Sequence, residues 1–153
     1  MGSIRQHYEV PADDFTRAGE ASAKVKGLLK KLSYDPDVIR RVAIAMYEAE
    51  INMVIHANGG SAVIDIHPDR VELLLEDSGP GIADVGLAMQ EGYSTAPEKV
   101  RSLGFGAGMG LPNIKKYTDE MHIESEVGIG TRIYMTVKTE SGEQRTEDGK
   151  SGF

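Results

Sequence analysis

Four glycines fall within seven residues, at Gly104, Gly106, Gly108 and Gly110, inside the stretch GFGAGMGLPN, and a helical pattern, LPNIKKYTDEM, follows at once. Glycine tolerates positive φ and lets the backbone approach a ligand closely. A helix start offers unpaired N–H donors and a partial positive charge. Pro112 suits a first helical turn, where its missing N–H costs nothing. The combination describes a cradle for phosphate oxygens. It equally describes a flexible loop entering a surface helix, so the rest of the chain has to decide.

Composition narrows the field. At 153 residues the chain suits one domain with its own core. Seventeen Lys and Arg stand against 24 Asp and Glu, a formal net charge of -7. Nucleic-acid binders ordinarily carry a basic face, so that class is set aside. A phosphate ligand is still allowed, because a few local donors and a metal ion suffice. With no cysteine there is no disulfide, thiolate metal site or cysteine nucleophile. No signal-peptide pattern or membrane-length apolar run is read, so no membrane association and a cytoplasmic location are expected.

Taken in order, IRQHYEV (residues 4–10) alternates as an edge strand closed by Pro11. Asp13 or Asp14 is expected to cap a helix running to about Leu32, with Phe15, Ala18, Val25, Leu28, Leu29 and Leu32 on its apolar face. Asp35 and Pro36 open a second helix that stops near His56, before Asn58-Gly59-Gly60. Its stripe is Val38, Val42, Ala45, Ala49 and Met53, and Glu48 and Asn52 project together from its flank, one turn apart. Glu50 lies on another face and is read as a solvent or salt-bridge residue. SAVIDIH and VELLLED form a hairpin around Pro68-Asp69-Arg70, and the second strand runs into Asp77-Ser78-Gly79-Pro80-Gly81. A short helix near residues 84–90 and a long loop over residues 92–108 come next. After the helix from Gly110 to about Glu120, HIESEV and TRIYMTVK make a last hairpin around Gly128-Ile129-Gly130. The polar segment 139–153 is expected to be disordered, leaving one domain over residues 1–138. The prediction is an α+β two-layer sandwich, with a mixed, mostly antiparallel sheet and helices on one face.

Three distant pieces now stand out: Glu48 with Asn52 on a helix, Asp77 with Gly79 and Gly81 after a strand, and the glycine run, followed by Gly130-Thr131 at a strand start. Their order and spacing resemble the N box, G1 box, G2 box and late Gly-Thr of the GHKL ATPase superfamily, over roughly residues 4–138. Within it, size is similar to the small anti-sigma serine kinases of the SpoIIAB and RsbW type. The stretches EDSGPGIADVGLAMQEGYST and GMGLPNIKKYTDEMHIESEVGIGT look nearest to the RsbT switch kinases. The N box, YEAEINMVIHANGG, reads more like the anti-sigma kinases, and APEKVRSLGFGA makes a longer lid than the RsbT type has.

The resemblance implies ATP and Mg2+ as ligands, in a Bergerat-type nucleotide fold. It makes Asn52 the metal ligand and Glu48 the general base on a protein serine hydroxyl. It gives Asp77 the adenine amino group, with Gly79 and Gly81 letting the backbone pass the base and Thr131 supporting Asp77. Gly106, Gly108, Met109, Gly110 and Leu111 would present N–H groups to the phosphates. Lys99 and Arg101, in the lid, would meet the β or γ phosphate, although no family motif fixes these two.

The function so implied is an ATP- and Mg2+-dependent serine/threonine protein kinase of a partner-switching pathway. Its substrate would be a STAS-type anti-sigma antagonist protein. A sigma factor or regulatory phosphatase would be its second partner, and an edge strand leaves room for a homodimer. Two rivals share these motifs. One is a nucleotide-gated module that sequesters a regulator without turnover. The other is a histidine-kinase-like catalytic domain acting in trans, which the lack of a phosphoacceptor helix disfavours.

Overall fold

Alternation of apolar and polar residues in five short segments becomes five strands in the computed structural model, which describes residues 3–11, 17–56, 59–79 and 110–139. They are β1 (Ile4–Val10), β2 (Gly60–Ile66), β3 (Arg70–Asp77), β4 (Glu120–Glu126) and β5 (Gly130–Lys138). Among the described residues three helices accompany them: α1 (Glu20–Lys31), α2 (Pro36–His56) and α3 (Gly110–Tyr117). The sheet order is β1-β2-β3-β5-β4. Every pairing among the described residues is antiparallel, in keeping with the mostly antiparallel sheet expected. β1 takes the edge position expected of it.

Side chains alternate across a strand, so one face of the sheet collects the apolar set. Ala62, Ile64 and Ile66 of β2, Val71, Leu73 and Leu75 of β3, and Ile133, Met135 and Val137 of β5 are all buried. They form one cluster with Val25 and Leu29 of α1, with Val38, Val42, Ala45, Ala49 and Met53 of α2, and with Leu111 and Ile114 of α3. The helices therefore cover one face, as the two-layer prediction requires. The opposite face carries Arg5, Asp65, Glu72, Glu76 and Arg132. Among the described residues no helix is long and apolar enough to cross a membrane.

α2 begins where its sequence says it should. Asp35 Oδ1 accepts the Asp37 N–H at 2.8 Å, and the Asp35 carbonyl accepts the Ile39 N–H at 3.0 Å, an N-cap with Pro36 at the first helical position. The stripe read from the sequence is buried throughout, and Met46, Ile51 and Val54 are buried as well. That second apolar side is covered because α2 packs against both α1 and α3.

α1 departs from expectation. It starts at Glu20, after a turn over residues 17–19 in which Gly19 has φ +91°. A left-handed residue breaks the helix read from Asp13 or Asp14, both of which lie outside the described residues, as does Phe15. Leu32, expected on the buried face, caps the C-terminus and is 37% exposed. The start of α1 is closed instead by Glu50, which corrects its reading as a surface residue. Glu50 is 1% exposed. Its Oε2 accepts the Gly19 and Ala21 N–H groups at 3.1 Å each, and its Oε1 accepts the Ser22 N–H at 3.0 Å. A carboxylate there satisfies orphan donors and meets the positive end of the helix dipole.

α3 is shorter than its pattern suggests. The Thr118 hydroxyl donates to the Ile114 carbonyl at 2.8 Å, and the Asp119 N–H already bonds the Thr136 carbonyl at 2.9 Å. Sheet pairing has claimed the chain by that point. Thr139, assigned above to the polar tail, is held too: its N–H reaches the Asp69 carbonyl at 3.0 Å and its hydroxyl the Pro68 carbonyl at 2.8 Å. The predicted helix at 84–90, the loop over 92–108 and the tail beyond Thr139 lie outside the described residues.

Candidate nucleotide site

Because β5 inserts between β3 and β4, the end of β3 meets the start of β5. Asp77 stands in register with Thr131. One carboxylate oxygen of Asp77, Oδ1, accepts the Gly79 N–H at 2.9 Å and the Thr131 N–H at 3.3 Å. Two backbone donors, one from the bend just after β3 and one from the start of β5, thus fix the carboxylate, while among the described residues no hydrogen bond reaches Oδ2. Thr131 is buried, and its hydroxyl shares a 2.9 Å hydrogen bond with that of Ser125, its partner on β4. The Ser125 hydroxyl lies 3.3 Å from the Gly130 carbonyl as well. Gly130 has φ +147°, and a Cβ there would overlap the Asp77 carbonyl oxygen. The glycine before Thr131 is therefore what lets the strands close on Asp77.

Glu48 and Asn52 leave the flank of α2 half-buried, as their spacing predicts. Oε2 of Glu48 accepts a hydrogen bond from Asn113 Nδ2, in the first turn of α3, at 3.1 Å. Glu48 also lines a groove of about 350 Å3 between α1 and α2, together with Ala23, Lys26, Ala43, Ile44 and Tyr47. Burial raises the Tyr47 hydroxyl above its ordinary pKa, and the charges of Glu48 and Glu50 push the same way.

α3 begins at Gly110, where the glycine run ends. Leu111 is buried and Ile114 fully so, which seats the helix against α2. A helix N-terminus thus sits on the same side of α2 as Glu48. Of the residues singled out from sequence, the structure places Glu48, Asn52, Asp77, Gly79, Gly110, Leu111 and Thr131. Gly81, Lys99, Arg101, Gly106, Gly108 and Met109 lie outside the described residues.

Three residues at or beside the site were not foreseen. Asn113 was visible only as part of a helical run, although its place three residues after Gly110 put it in the first turn. Ser125 follows from register once the hairpin loop is fixed, since Glu126 pairs with Gly130 and Ser125 therefore pairs with Thr131. Glu50 gave no signal, because its partners are backbone N–H groups some 30 residues earlier.

The arrangement suits a nucleotide. Asp77 leaves Oδ2 without a hydrogen bond among the described residues, an acceptor of the kind that an exocyclic amine can meet. For the metal, no group of three or more His, Cys, Asp or Glu side chains capable of holding an ion occurs among the described residues. Asn52, half-buried one turn from Glu48, carries an amide oxygen of the kind that a hard divalent ion accepts.

The chain is similar to known proteins over most of its length. The sequence profile of the histidine kinase-like ATPase domain matches residues 11–137. The chain is 31% identical to the serine/threonine-protein kinase RsbT of Bacillus subtilis over 112 residues, which cover 71% of this chain and 78% of that one. It is 33% identical to the anti-sigma F factor of Clostridium novyi over 127 residues, 79% of this chain and 85% of that one. Among solved structures it is similar in fold to the RsbU and RsbW domains of Rv1364c from Mycobacterium tuberculosis. There the TM-score is 0.59 at 16% identity, covering 88% of this chain and 32% of that one. The mycobacterial sensor histidine kinase MprB matches with a TM-score of 0.51 at 16% identity, covering 88% of this chain and 97% of that one.

Proposed function

The chain belongs to the histidine kinase-like ATPase domain family, and on that premise we propose that it is a protein serine/threonine kinase of a partner-switching pathway, using ATP and Mg2+ in the cytoplasm. The observation that carries the reading is Glu48. It is half-buried, anchored at one oxygen, one turn from Asn52, and lines the groove between α1 and α2. The named relatives, a serine/threonine kinase and anti-sigma factors, fit a substrate of the STAS antagonist type. A sigma factor or regulatory phosphatase would then be the second partner.

In this reading Asp77 Oδ2 accepts the adenine amino group, while Gly79 and Thr131 hold Oδ1 in place. Gly79 and Gly81 let the backbone run beside the base. The N–H groups of Gly106, Gly108, Met109, Gly110 and Leu111 cradle the phosphates, with Lys99 and Arg101 of the lid reaching the outer ones. Asn52 offers its amide oxygen to the metal. Bound Mg2+ would offset the charge that develops on the phosphate oxygens during transfer. Glu48 takes the proton of the substrate hydroxyl as its oxygen bonds to the γ phosphorus, and the bond to the bridging oxygen breaks to release ADP.

Labelled ATP and a STAS-type protein test this directly. The wild-type chain is expected to form phosphoserine or phosphothreonine, and Glu48→Gln to lose about 100-fold or more of the rate while still binding ADP. Full transfer by Glu48→Gln would overturn the assignment. Partner capture without turnover by the wild type would identify a nucleotide-gated binding module instead.

A further inference from the structure

Asn113 has a hydrogen bond into the site and no role in the scheme above. It lies in the first turn of α3, and its bond to Glu48 joins residues 65 apart in sequence. The chemistry orients the pair. An ionised carboxylate only accepts hydrogen bonds, so the NH2 edge of the amide must face it. Both ends are mechanically fixed. Asn113 is flanked by Leu111 and Ile114, which are buried against α2, and Glu48 lies between the buried Ala45, Met46 and Ala49 of α2 itself. Oε2 is therefore committed, and among the described residues no hydrogen bond reaches Oε1.

We propose, on the reading of Glu48 as general base, that Asn113 is its positioning residue: it holds Oε2 so that Oε1 faces the incoming hydroxyl, and it ties that orientation to the end of α3 where the glycine run delivers the chain. The proton passes from the substrate hydroxyl to Oε1, while Oε2 keeps the amide bond throughout. Rotation of an untethered carboxylate about its last torsions would take Oε1 out of line, and small misplacements of a reacting group lower rates steeply. The tether also couples base and phosphate ends.

The test uses the full chain with Mg-ATP and a STAS-type protein substrate, comparing Asn113→Ala and Asn113→Leu. Leucine fills the space without the donor, which guards against a folding artefact in either variant. Both are expected to lower kcat about tenfold or more, with KM for ATP and for the protein substrate within about twofold of wild type. In a Glu48→Gln background the same changes are expected to alter the residual rate by less than about twofold, because no carboxylate remains to be oriented. Unchanged kcat in both variants, alongside a large loss in Glu48→Gln, would overturn the Asn113 inference and leave the function standing. An equal loss with and without Glu48 would mean that Asn113 only supports the fold. Full transfer by Glu48→Gln, or none by the wild type, would remove the parent reading and this inference with it.

Discussion

Glu50 gives both carboxylate oxygens to backbone N–H groups at the start of α1, from a position 1% exposed. Truncation would leave three donors without their acceptor in a dry seam, a heavier loss than a surface cap. Glu50→Ala is expected to cost about 2–4 kcal/mol of stability, read from urea unfolding followed by circular dichroism. A change below about 0.5 kcal/mol, the size of an ordinary surface substitution, would contradict the capping role. Gly130 makes a second case. A methyl group there would meet the Asp77 carbonyl, and φ +147° suits no other residue. Gly130→Ala is expected to cost about 2 kcal/mol or more and to weaken nucleotide binding together with stability. Tight binding in a destabilised Gly130→Ala protein would separate the glycine from the site.

At the scale of elements, α1 is attached through its packed face and through Glu50. Leu29 is fully buried in the shared cluster, so Leu29→Ala is expected to cost about 2–5 kcal/mol. A smaller effect in thermal unfolding would mean that α1 docks more loosely than its contacts show. The edge strand β1 is tied differently. Arg5 reaches both oxygens of Asp65, at 2.7 and 3.0 Å, and holds that carboxyl below its ordinary range despite a smaller opposing effect of burial. A carboxyl lowered in the folded state stabilises above its unfolded value, and that contribution fades as pH falls through the folded one. Arg5→Gln is therefore expected to unfold at lower urea than wild type near neutral pH. The gap should close below about pH 4, as Asp65 takes up its proton. A gap that persists in acid would assign the effect to packing of the Arg5 stem.

These elements also show what sequence could reveal. Local signals read true: alternation placed all five strands, Asp35-Pro36 opened α2, and the stripe from Val38 to Met53 proved to be core. The errors arose where a distant contact decides. Nothing near Glu50 announces the helix start that it caps, and nothing in LPNIKKY announces that Asn113 turns toward Glu48. Leu32 followed the period of its helix but fell at the cap, where the chain turns away. The positions of Glu48 and Asn52 on the flank of α2, of Asp77 at a strand end and of Thr131 at a strand start followed from helical period and strand pattern. That of Ser125 did not, because its place depends on hairpin register.

For the molecule as a whole, the sheet order puts Asp77 and Thr131 side by side, and α2 lies between the groove at α1 and the first turn of α3. A nucleotide would draw these parts into one unit, with base recognition at the β3–β5 junction and phosphate recognition at α3. Titration calorimetry of ADP and ATP with Mg2+ tests that claim most directly, on wild type and on Asp77→Ala. The account predicts saturable binding of both nucleotides by the wild type and a loss of about 10-fold to 150-fold in Asp77→Ala, the worth of a hydrogen bond to a charged group. Absence of binding by folded wild-type protein, or an unchanged affinity in Asp77→Ala, would contradict it.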